Sequence, residues 1–443
     1  MREPFKNRNF RLLCLAEGVS YIGDQVSLIA FPWLALQMTG SPAIMGFVFA
    51  CHGLPRALLM LFGGAVVDRT SPRRVMLASQ ATLMVLVAML GTVIWLDQIQ
   101  LWMVFACALC FGLVEAFFFP ASSSIVPSIV DRRFLKEANA VVQVLGQMAL
   151  FIGPALAGFV IAGGVMSLGF AEVATLAAAD GFGDREGLAR AFWFDSATFA
   201  VAFGVLLAVR PRRLAGEDAG ESMLVSVGKA LRYAWRHPAM RLFFLGIASL
   251  EIFFNAPFLV GMPVLIKQHW GGGAFEYGLI MSSYGGGALI GGVIAGLLPT
   301  PPDRILGRLM FALVGYSGLT LGLIAIVSEV WIGCAIFSSS GLGDGFVFVH
   351  FAAWLQKVTP DRLLGRVMAI FMFVAWGLLP LANAVMGVLI EWNLHAVLIG
   401  SAIIIVAISA VIACHPDAVK LAPIPDAEGD AAARDPHRLH PSS

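Results

Sequence analysis

The chain contains little charge. Charged residues make up 13% of its 443 residues, and acidic and basic side chains nearly cancel to a formal net charge of +1. A soluble domain carries about 25% charged residues, so this chain has too little polar surface to be covered by water. The small net charge argues against a nucleic-acid partner. With a mean hydropathy of +0.84, the composition predicts a protein embedded in lipid.

Cysteine is also scarce. The six cysteines all fall within apolar runs, which predicts buried thiols rather than a disulfide scaffold. Cys107 and Cys110 form one C-x-x-C pair, but a second pair is missing, so we predict no metal site. We find no cofactor motif and no nucleophile–base pair, and the carboxylates do not have ligand spacing. The sequence therefore does not predict an enzyme or a cofactor.

Apolar stretches of roughly 20 residues recur along the whole chain, and each is long enough to cross a bilayer as a helix. They predict an all-α membrane protein with twelve transmembrane helices in two sets of six. The predicted spans are 10–37, 42–66, 74–96, 100–126, 137–163, 190–209, 239–266, 276–298, 304–328, 331–357, 365–391 and 394–414.

The polar stretches divide the chain into four parts. Within the longest internal one, the segment SMLVSVGKALRYAWRHP has apolar residues at helical spacing. It predicts an amphipathic helix, either flat on the inner leaflet or packed on the protein. The C-terminal tail is too polar and proline-rich to fold alone. The predicted parts are an N-terminal bundle (1–209), a cytoplasmic linker (210–238), a C-terminal bundle (239–414) and a disordered tail (415–443).

Lysine and arginine are distributed unevenly between the two sides of the predicted membrane. If both termini are placed inside, all lysines and arginines but four lie on the inner side. Arg56 lies within a span, and Arg185, Arg190 and Lys267 lie on the opposite side. Positive charge concentrates in cytoplasmic connections. The distribution predicts that both termini are cytoplasmic.

A charged turn occurs twice. Residues 303–308 (DRILGR) repeat the spacing of 68–73 (DRTSPR), each after the second span of its set, and the turns at 130–140 and 360–369 match loosely. Offsets of about 230 residues at two places indicate a duplicated six-helix unit. The alternative is that such pairs recur merely as topology signals.

This organisation resembles the major facilitator superfamily, whose signature at the first turn is G-x-x-x-D-R-x-G-R-R. Gly64, Asp68, Arg69 and Arg73 match it, whereas Ser71 and Pro72 depart from it. The segment LGQMALFIGPALAGFV resembles the antiporter motif of the fifth span. It keeps Gly153, Pro154 and Gly158 but has Ala157 in a glycine position. Other segments are similar to the branch that includes siderophore and macrolide exporters.

The resemblance implies a cytoplasmic gate. Asp68 would dock on the N-terminal end of the eleventh helix and Asp303 on that of the fifth, where helix dipoles stabilise an anion. Two such latches would hold the halves together on the inner side; the alternative for Asp68 is local capping of its turn. The candidate gate residues are Gly64, Asp68, Arg69, Arg73, Arg74, Asp303, Arg304 and Arg308.

Ionisable groups lie near the middle of several spans, where insertion costs roughly 2.5–3.5 kcal/mol each. The resemblance implies that the first, fourth, seventh and tenth helices line a central cavity, and each has one such acid. The candidate cavity residues are Asp24, Arg56, Glu115, Glu251, Asn255 and Asp344.

We expect Asp24, Glu115 and Arg56 to form a proton-coupling cluster. Desolvation favours a protonated carboxyl group, whereas a neighbouring guanidinium favours the ionised form. A partner that leaves during the transport cycle would therefore change proton affinity. The alternative is a permanent structural ion pair. The superfamily's fourth-span arginine is absent here.

Four other polar residues at membrane depth are weaker candidates. Glu17 lies nearer the inner side, and Asp195, near the outer end of the sixth span, is expected to serve helix packing. His52 and His350 can titrate near neutral pH, but an isolated intramembrane histidine is more often a packed, hydrogen-bonded residue.

Glycine and phenylalanine patterns add two expectations. Gly287 and Gly291, then Gly292 and Gly296, predict a close helix crossing in the eighth span. Phenylalanines in the predicted cavity-lining spans would suit a bulky amphipathic ligand, or they face lipid. They are Phe117, Phe118, Phe119, Phe253, Phe254, Phe346 and Phe348.

These features predict a monomeric secondary transporter of the bacterial cytoplasmic membrane, with a small-molecule substrate, protons and the lipid bilayer as partners. The expected activity is proton-coupled export of small amphipathic molecules (drug-, macrolide- or siderophore-like) by alternating access. The alternatives are a uniporter or lysolipid flippase of the same fold, or a scaffold or sensor that does not transport.

Overall fold

A computed structural model describes residues 3–163, 183–211, 235 and 238–415. Within these ranges the chain is helical and contains no strand. Of the predicted linker helix only Trp235 and Pro238 are described, and of the polar tail only His415; the rest of both lies outside the described residues.

The helices that cross the bundle follow the predicted spans closely, with ends that extend by a few residues. The first six are α1 (Arg8–Thr39), α2 (Pro42–Arg69), α3 (Pro72–Trp95), α4 (Leu101–Ile129), α5 (Leu135–Ile161) and α6 (Gly183–Ala208). The next four are α7 (Pro238–Trp270), α8 (Ala274–Leu297), α9 (Asp303–Ile324) and α10 (Val330–Val358).

The last apolar segment, Ile370–Cys414, is continuous by length and composition, which gives eleven candidate membrane spans in the described part of the chain. It is broken at Asn393, whose backbone angles (φ −161°, ψ 102°) are not helical. The Asn393 side chain accepts a hydrogen bond from the Ala396 amide at 3.0 Å, which is how asparagine caps a helix start. The break therefore separates α11 (361–392) from α12 (394–414), each long enough to cross a bilayer.

The α1–α2 connection shows why the chain turns so sharply. Gly40 ends α1 at φ +67°, a left-handed conformation that glycine adopts without strain. Ser41 then caps α2 by accepting a hydrogen bond from the Ile44 amide at 3.3 Å, and Pro42 occupies the first helical position. The sequence T-G-S-P thus joins two long helices with almost no loop.

Equivalent helices pack together in the two halves. The second and fourth helices of each set are in contact, as are the third and sixth. Across the halves, α2 packs on α11 and α5 packs on α8, so the second helix of one half meets the fifth of the other both times. This arrangement is what duplication of a six-helix unit predicts.

Glycines allow the halves to approach closely near one end of the bundle. This end carries the α1–α2, α7–α8 and α11–α12 connections, and the charge distribution predicts that it faces outward; we call it the outer end. A Cβ on Gly46 of α2 would lie 2.3 Å from the Asn383 carbonyl oxygen of α11, and one on Gly158 of α5 would lie 2.6 Å from the Ala274 oxygen of α8. The two halves are therefore in close contact at the outer end.

Replacing Gly46 or Gly158 by alanine should destabilise this arrangement, because the added methyl group would overlap a backbone that cannot move aside. Overpacking of this kind costs about 1–3 kcal/mol. Thermal unfolding of the purified variants in detergent measures the loss. Gly204→Ala is the matched control, since a Cβ there meets nothing within 4 Å. Equal melting temperatures for all three variants would contradict the close contact.

Candidate functional site

Glu115 of α4 lies at the centre of a charged cluster in the first half. Its Oε2 atom is 2.9 Å from His52 Nε2 and 3.3 Å from Arg56 Nη1. The side chains of Glu115 and His52 are 16% and 15% exposed, and that of Arg56 is 34% exposed. His52 and Arg56 lie one turn apart on α2, so both reach the same carboxylate oxygen. Glu115 therefore has two cationic or potentially cationic partners.

Asp24 of α1 belongs to the same cluster. It lies within electrostatic reach of Glu115, Arg56 and Asp195. The structure thus brings together the three residues predicted to form the coupling cluster and adds His52. The sequence alone did not assign His52 to this site, because its contact with Glu115 depends on how α2 is rotated against α4.

Asp195 lies near the middle of α6, not near its outer end. The prediction was wrong because the helix begins at Gly183 rather than near residue 190. The Asp195 carboxylate is buried and accepts hydrogen bonds from Ser27 of α1 and, at 3.2 Å, from Thr198. The contact with Ser27 joins α6 to α1, in agreement with a packing role.

Glu17 of α1 is a second buried acid between α1 and α4. Ser122 of α4 donates a hydrogen bond to its Oε1 atom, while its Oε2 atom is buried without a hydrogen-bond partner. Glu17 thus bridges the two helices on the inner side of the cluster.

The acids of the second half have neutral partners. Glu251 is buried and accepts a hydrogen bond from Asn255 at 3.0 Å, on a stretch of π-helix (Glu251–Asn255) within α7. Such π-helical turns are frequent at functional sites. Asp344 of α10 accepts hydrogen bonds from Tyr284 of α8 at 3.1 Å and from Ser317 of α9 at 2.8 Å. No ion pair in the described ranges involves Glu251 or Asp344.

The predicted phenylalanine lining is wrong for at least one residue. Phe254 is fully buried and packs in the second half beside Phe258 (ring centroids 5.9 Å apart) and Phe337 (6.4 Å). Phe119, by contrast, is exposed. The sequence could not separate these cases because both residues lie in apolar runs.

The gate residues are described only in part. Arg73 donates hydrogen bonds to the carbonyl oxygens of Leu206 (3.1 Å) and Leu207 (2.7 Å), near the C-terminal end of α6, where a cation is favourable. Arg74 and Arg308 are exposed. The side chains of Gly64, Asp68, Arg69, Asp303 and Arg304 lie outside what the structure describes, so the predicted latches stay predictions.

The antiporter-like motif lies where α5 meets two other helices. A Cβ on Gly153 would lie 2.4 Å from the Gln25 side chain of α1, and Gly158 faces α8. The carbonyl oxygen of Pro154 would be 2.2 Å from a Cβ on Gly278 of α8. The motif thus provides close contacts both within the first half and between the halves.

The predicted close helix crossing is confirmed for one of the two glycine pairs in the eighth span. Gly287 and Gly291 leave no room for a Cβ against the carbonyl oxygens of Ser338 and Leu342 in α10 (both 2.0 Å). Gly292 and Gly296 make no such backbone contact. The prediction was wrong for this second pair, which lies on another face of α8.

Two charged residues at the outer end join the halves. Glu391 near the end of α11 accepts hydrogen bonds from the Ser41 hydroxyl (2.8 Å) and the Ala43 amide (3.3 Å) at the start of α2. Lys267 of α7 donates to the Leu36 carbonyl oxygen (3.4 Å) and to Gln37 (3.2 Å) at the end of α1. We call these contacts the outer latch. No sequence signal pointed to it, since charges at helix ends are common.

All six cysteines are free thiols, but Cys110 and Cys414 are exposed. The other four are only partly buried, so the predicted burial is wrong for Cys110 and Cys414 and incomplete for the rest, because an apolar run in a membrane protein can face lipid. In the described ranges no group of three or more His, Cys, Asp or Glu side chains could hold a metal ion.

The fold and the polar groups between its helices define a multi-pass membrane transporter. Residues 13–384 match the sequence model of the Major Facilitator Superfamily. The chain belongs to this superfamily, whose members are transporters and not enzymes.

Solved structures share this fold. A bacterial homologue of the iron transporter ferroportin in an inward-facing state has a TM-score of 0.67 and 17% identity, covering 92% of this chain and 99% of that one. The nucleoside transporter NupG has a TM-score of 0.64 and 14% identity, covering 90% of this chain and 98% of that one.

Relatives in sequence include efflux proteins. The chain is 24% identical to the multidrug efflux pump Tap of Mycobacterium tuberculosis (strain ATCC 25618 / H37Rv) over 415 residues, covering 89% of this chain and 90% of that protein. It is 21% identical to macrolide efflux protein A of Streptococcus pyogenes, covering 82% and 84% respectively.

A double-mutant cycle on Arg56 and Glu115 should show strong coupling. Removing either partner leaves the other charge at membrane depth, so Arg56→Ala and Glu115→Gln should each destabilise the protein, and together less than their sum. We expect a coupling of about 1–3 kcal/mol in unfolding measurements. The same cycle on the exposed pair Arg190–Glu186 (2.8 Å) should give about 0.3–0.5 kcal/mol. Additive effects at Arg56 and Glu115 would contradict the pairing.

Proposed function

We propose that this protein is a proton-coupled exporter of small amphipathic molecules that works by alternating access in the bacterial cytoplasmic membrane. The observation that carries the proposal is Glu115, which binds both His52 and Arg56 at mid-depth within reach of Asp24. The names of the efflux relatives support export of small molecules.

Proton coupling requires that the cluster change during the cycle. All of its members lie in the first half, so a rigid tilt of that half does not separate them. The Arg56 side chain is 34% exposed and that of His52 is 15% exposed, so Arg56 is the partner that can leave by rotating its side chain alone. Without its guanidinium, Glu115 binds a proton more readily. A tilt that gives water access first from one side and then from the other makes this exchange directional.

The inner latches predicted for Asp68 and Asp303 complete the proposal. They would close the inner end when the outer latch is open. We further propose that the protein works as a monomer.

A uniporter or lysolipid flippase of the same fold is the main alternative, since it needs the same moving halves but no proton carrier. A scaffold without transport is disfavoured by the mid-depth charges, whose insertion cost brings it no benefit.

Export should depend on a pH gradient. In proteoliposomes loaded from a panel of siderophores, macrolides, dyes and lysolipids, we expect Asp24→Asn and Glu115→Gln each to reduce gradient-driven movement at least about tenfold, because a proton carrier is removed. Glu186→Gln, a change in an exposed surface pair, is the matched control and should have no effect. Substrate movement that is indifferent to the gradient would end the proton-coupling proposal. Full activity of both cluster variants would favour the uniporter or flippase.

Weakening the outer latch should shift the protein toward an outward-open state. Glu391→Gln removes the anion from the start of α2 and should increase labelling of a cysteine introduced at Asn383, which is buried against α2, in a background without the native cysteines. Glu276→Gln is the matched control, because the Glu276 carboxylate caps the start of its own helix (2.7 Å from the Gly273 amide). Equal labelling in both variants would show that Glu391 does not hold the halves together.

A further inference from the structure

We infer that His52 carries the transported proton together with Glu115, so that the coupling site is a histidine–carboxylate pair. This inference rests on the proposed proton coupling and names the residue that the sequence could not assign. In the loaded state the proton lies between His52 Nε2 and Glu115 Oε2. In the unloaded state it has left to water, and the pair is a neutral imidazole and a carboxylate.

The geometry suits proton sharing. His52 Nε2 and Glu115 Oε2 are 2.9 Å apart, within the range of a strong hydrogen bond. Neither side chain is fully buried: His52 is 15% and Glu115 is 16% exposed. Imidazole is the side chain whose charge changes most readily near neutral pH.

The backbone fixes His52 against α4. Gly112 of α4 has no room for a Cβ, which would lie 1.9 Å from the His52 carbonyl oxygen. The imidazole ring contacts the Phe111 ring edge-on, with centroids 5.2 Å apart. These contacts hold the His52 backbone beside α4 and pack its ring against Phe111, which places the imidazole within reach of Glu115.

The neighbouring charges come from three other positions. Arg56 lies one turn along α2, Asp24 is on α1, and Asp195 on α6 is within electrostatic reach of Glu115. His52 and Arg56 contact the same Glu115 oxygen, and Asp24 and Asp195 add negative charge nearby. Movement of the Arg56 side chain therefore changes the proton affinity of the pair, which links proton binding to the conformation of the transporter.

His350 of α10 provides an internal comparison. It is also a histidine at membrane depth, but its Nδ1 atom contacts the Phe346 carbonyl oxygen of its own helix at 3.1 Å, and its ring stacks on the Phe346 ring. This is the packed arrangement that the sequence suggested for both histidines. His350→Gln is therefore a matched control for His52→Gln.

The experiment uses the full chain in proteoliposomes, with ethidium and erythromycin as probes. One assay measures transport driven by an imposed pH gradient, and the other measures probe exchange at equal pH, which needs no net proton movement. We expect His52→Gln and His52→Arg to lose gradient-driven transport at least about tenfold and to keep exchange within about twofold. His350→Gln should keep both.

The outcomes separate this inference from the proposed function. Gradient-driven transport by His52→Gln at the wild-type rate, together with its loss in Glu115→Gln, would overturn the role of His52 and leave proton coupling intact. If probe transport by the wild-type protein does not depend on the pH gradient, the proposed function itself is overturned.

A second measurement applies if His52→Gln does not fold. The pH dependence of probe exchange is compared between the wild type and Glu115→Gln. Because His52 then has no carboxylate partner, Glu115→Gln should change the pH dependence of exchange, whereas the surface change Glu186→Gln should not. The same pH dependence in the wild type and Glu115→Gln would contradict the shared proton.

Discussion

A charge inside a bilayer is tolerated only when it is paired, hydrogen-bonded or in contact with water, since its insertion costs roughly 2.5–3.5 kcal/mol. Backbone N–H and C=O groups must likewise be hydrogen-bonded within the protein when they lie in lipid, and this accounts for the long helices of the described chain. It also explains where the acids lie. Glu115 binds His52 and Arg56, whereas Asp344 has Tyr284 and Ser317 as partners. Every one of these contacts joins two different helices, so the polar groups both stabilise the bundle and form its candidate site.

The two halves have equivalent helices, but their equivalent acids have different partners. Asp344 follows Glu115 by about the same 230 residues that separate the repeated turns, so each half has an acid at the equivalent place. Helix packing shows which residue of α8 stands in the place of His52. A Cβ on Gly112 would meet the His52 carbonyl oxygen, and a Cβ on Gly341 would meet that of Tyr284. The second half therefore has a tyrosine where the first has a histidine, and Tyr284 donates a neutral hydrogen bond to Asp344. For this reason we place the proposed charge exchange in the first half.

Helix positions and mid-depth acids could be predicted because both depend on local sequence: the length of an apolar run and the cost of a charge within it. The separation of α11 from α12 was found near Asn393 for the same reason. The partners of these residues could not be predicted. His52 and His350 look alike in sequence, and the rotation of α2 against α4 decides that one of them meets a carboxylate. In the sequence, Lys267 was only a basic residue on the predicted outer side. The structure shows that α7 places it beside Gln37 at the end of α1.

The two contacts of the outer latch stabilise the closed outer end but are weak enough to break, as alternating access requires. Glu391 lies at the start of α2 and Lys267 at the end of α1, so each charge faces the helix end of opposite polarity. Each such contact contributes about 0.3–1 kcal/mol when exposed, and about 1.4 kcal/mol changes a population tenfold. Two of them can therefore bias the closed outer end without trapping it. A buried ion pair at the same place would cost several kcal/mol to break, and the transporter would rarely open outward.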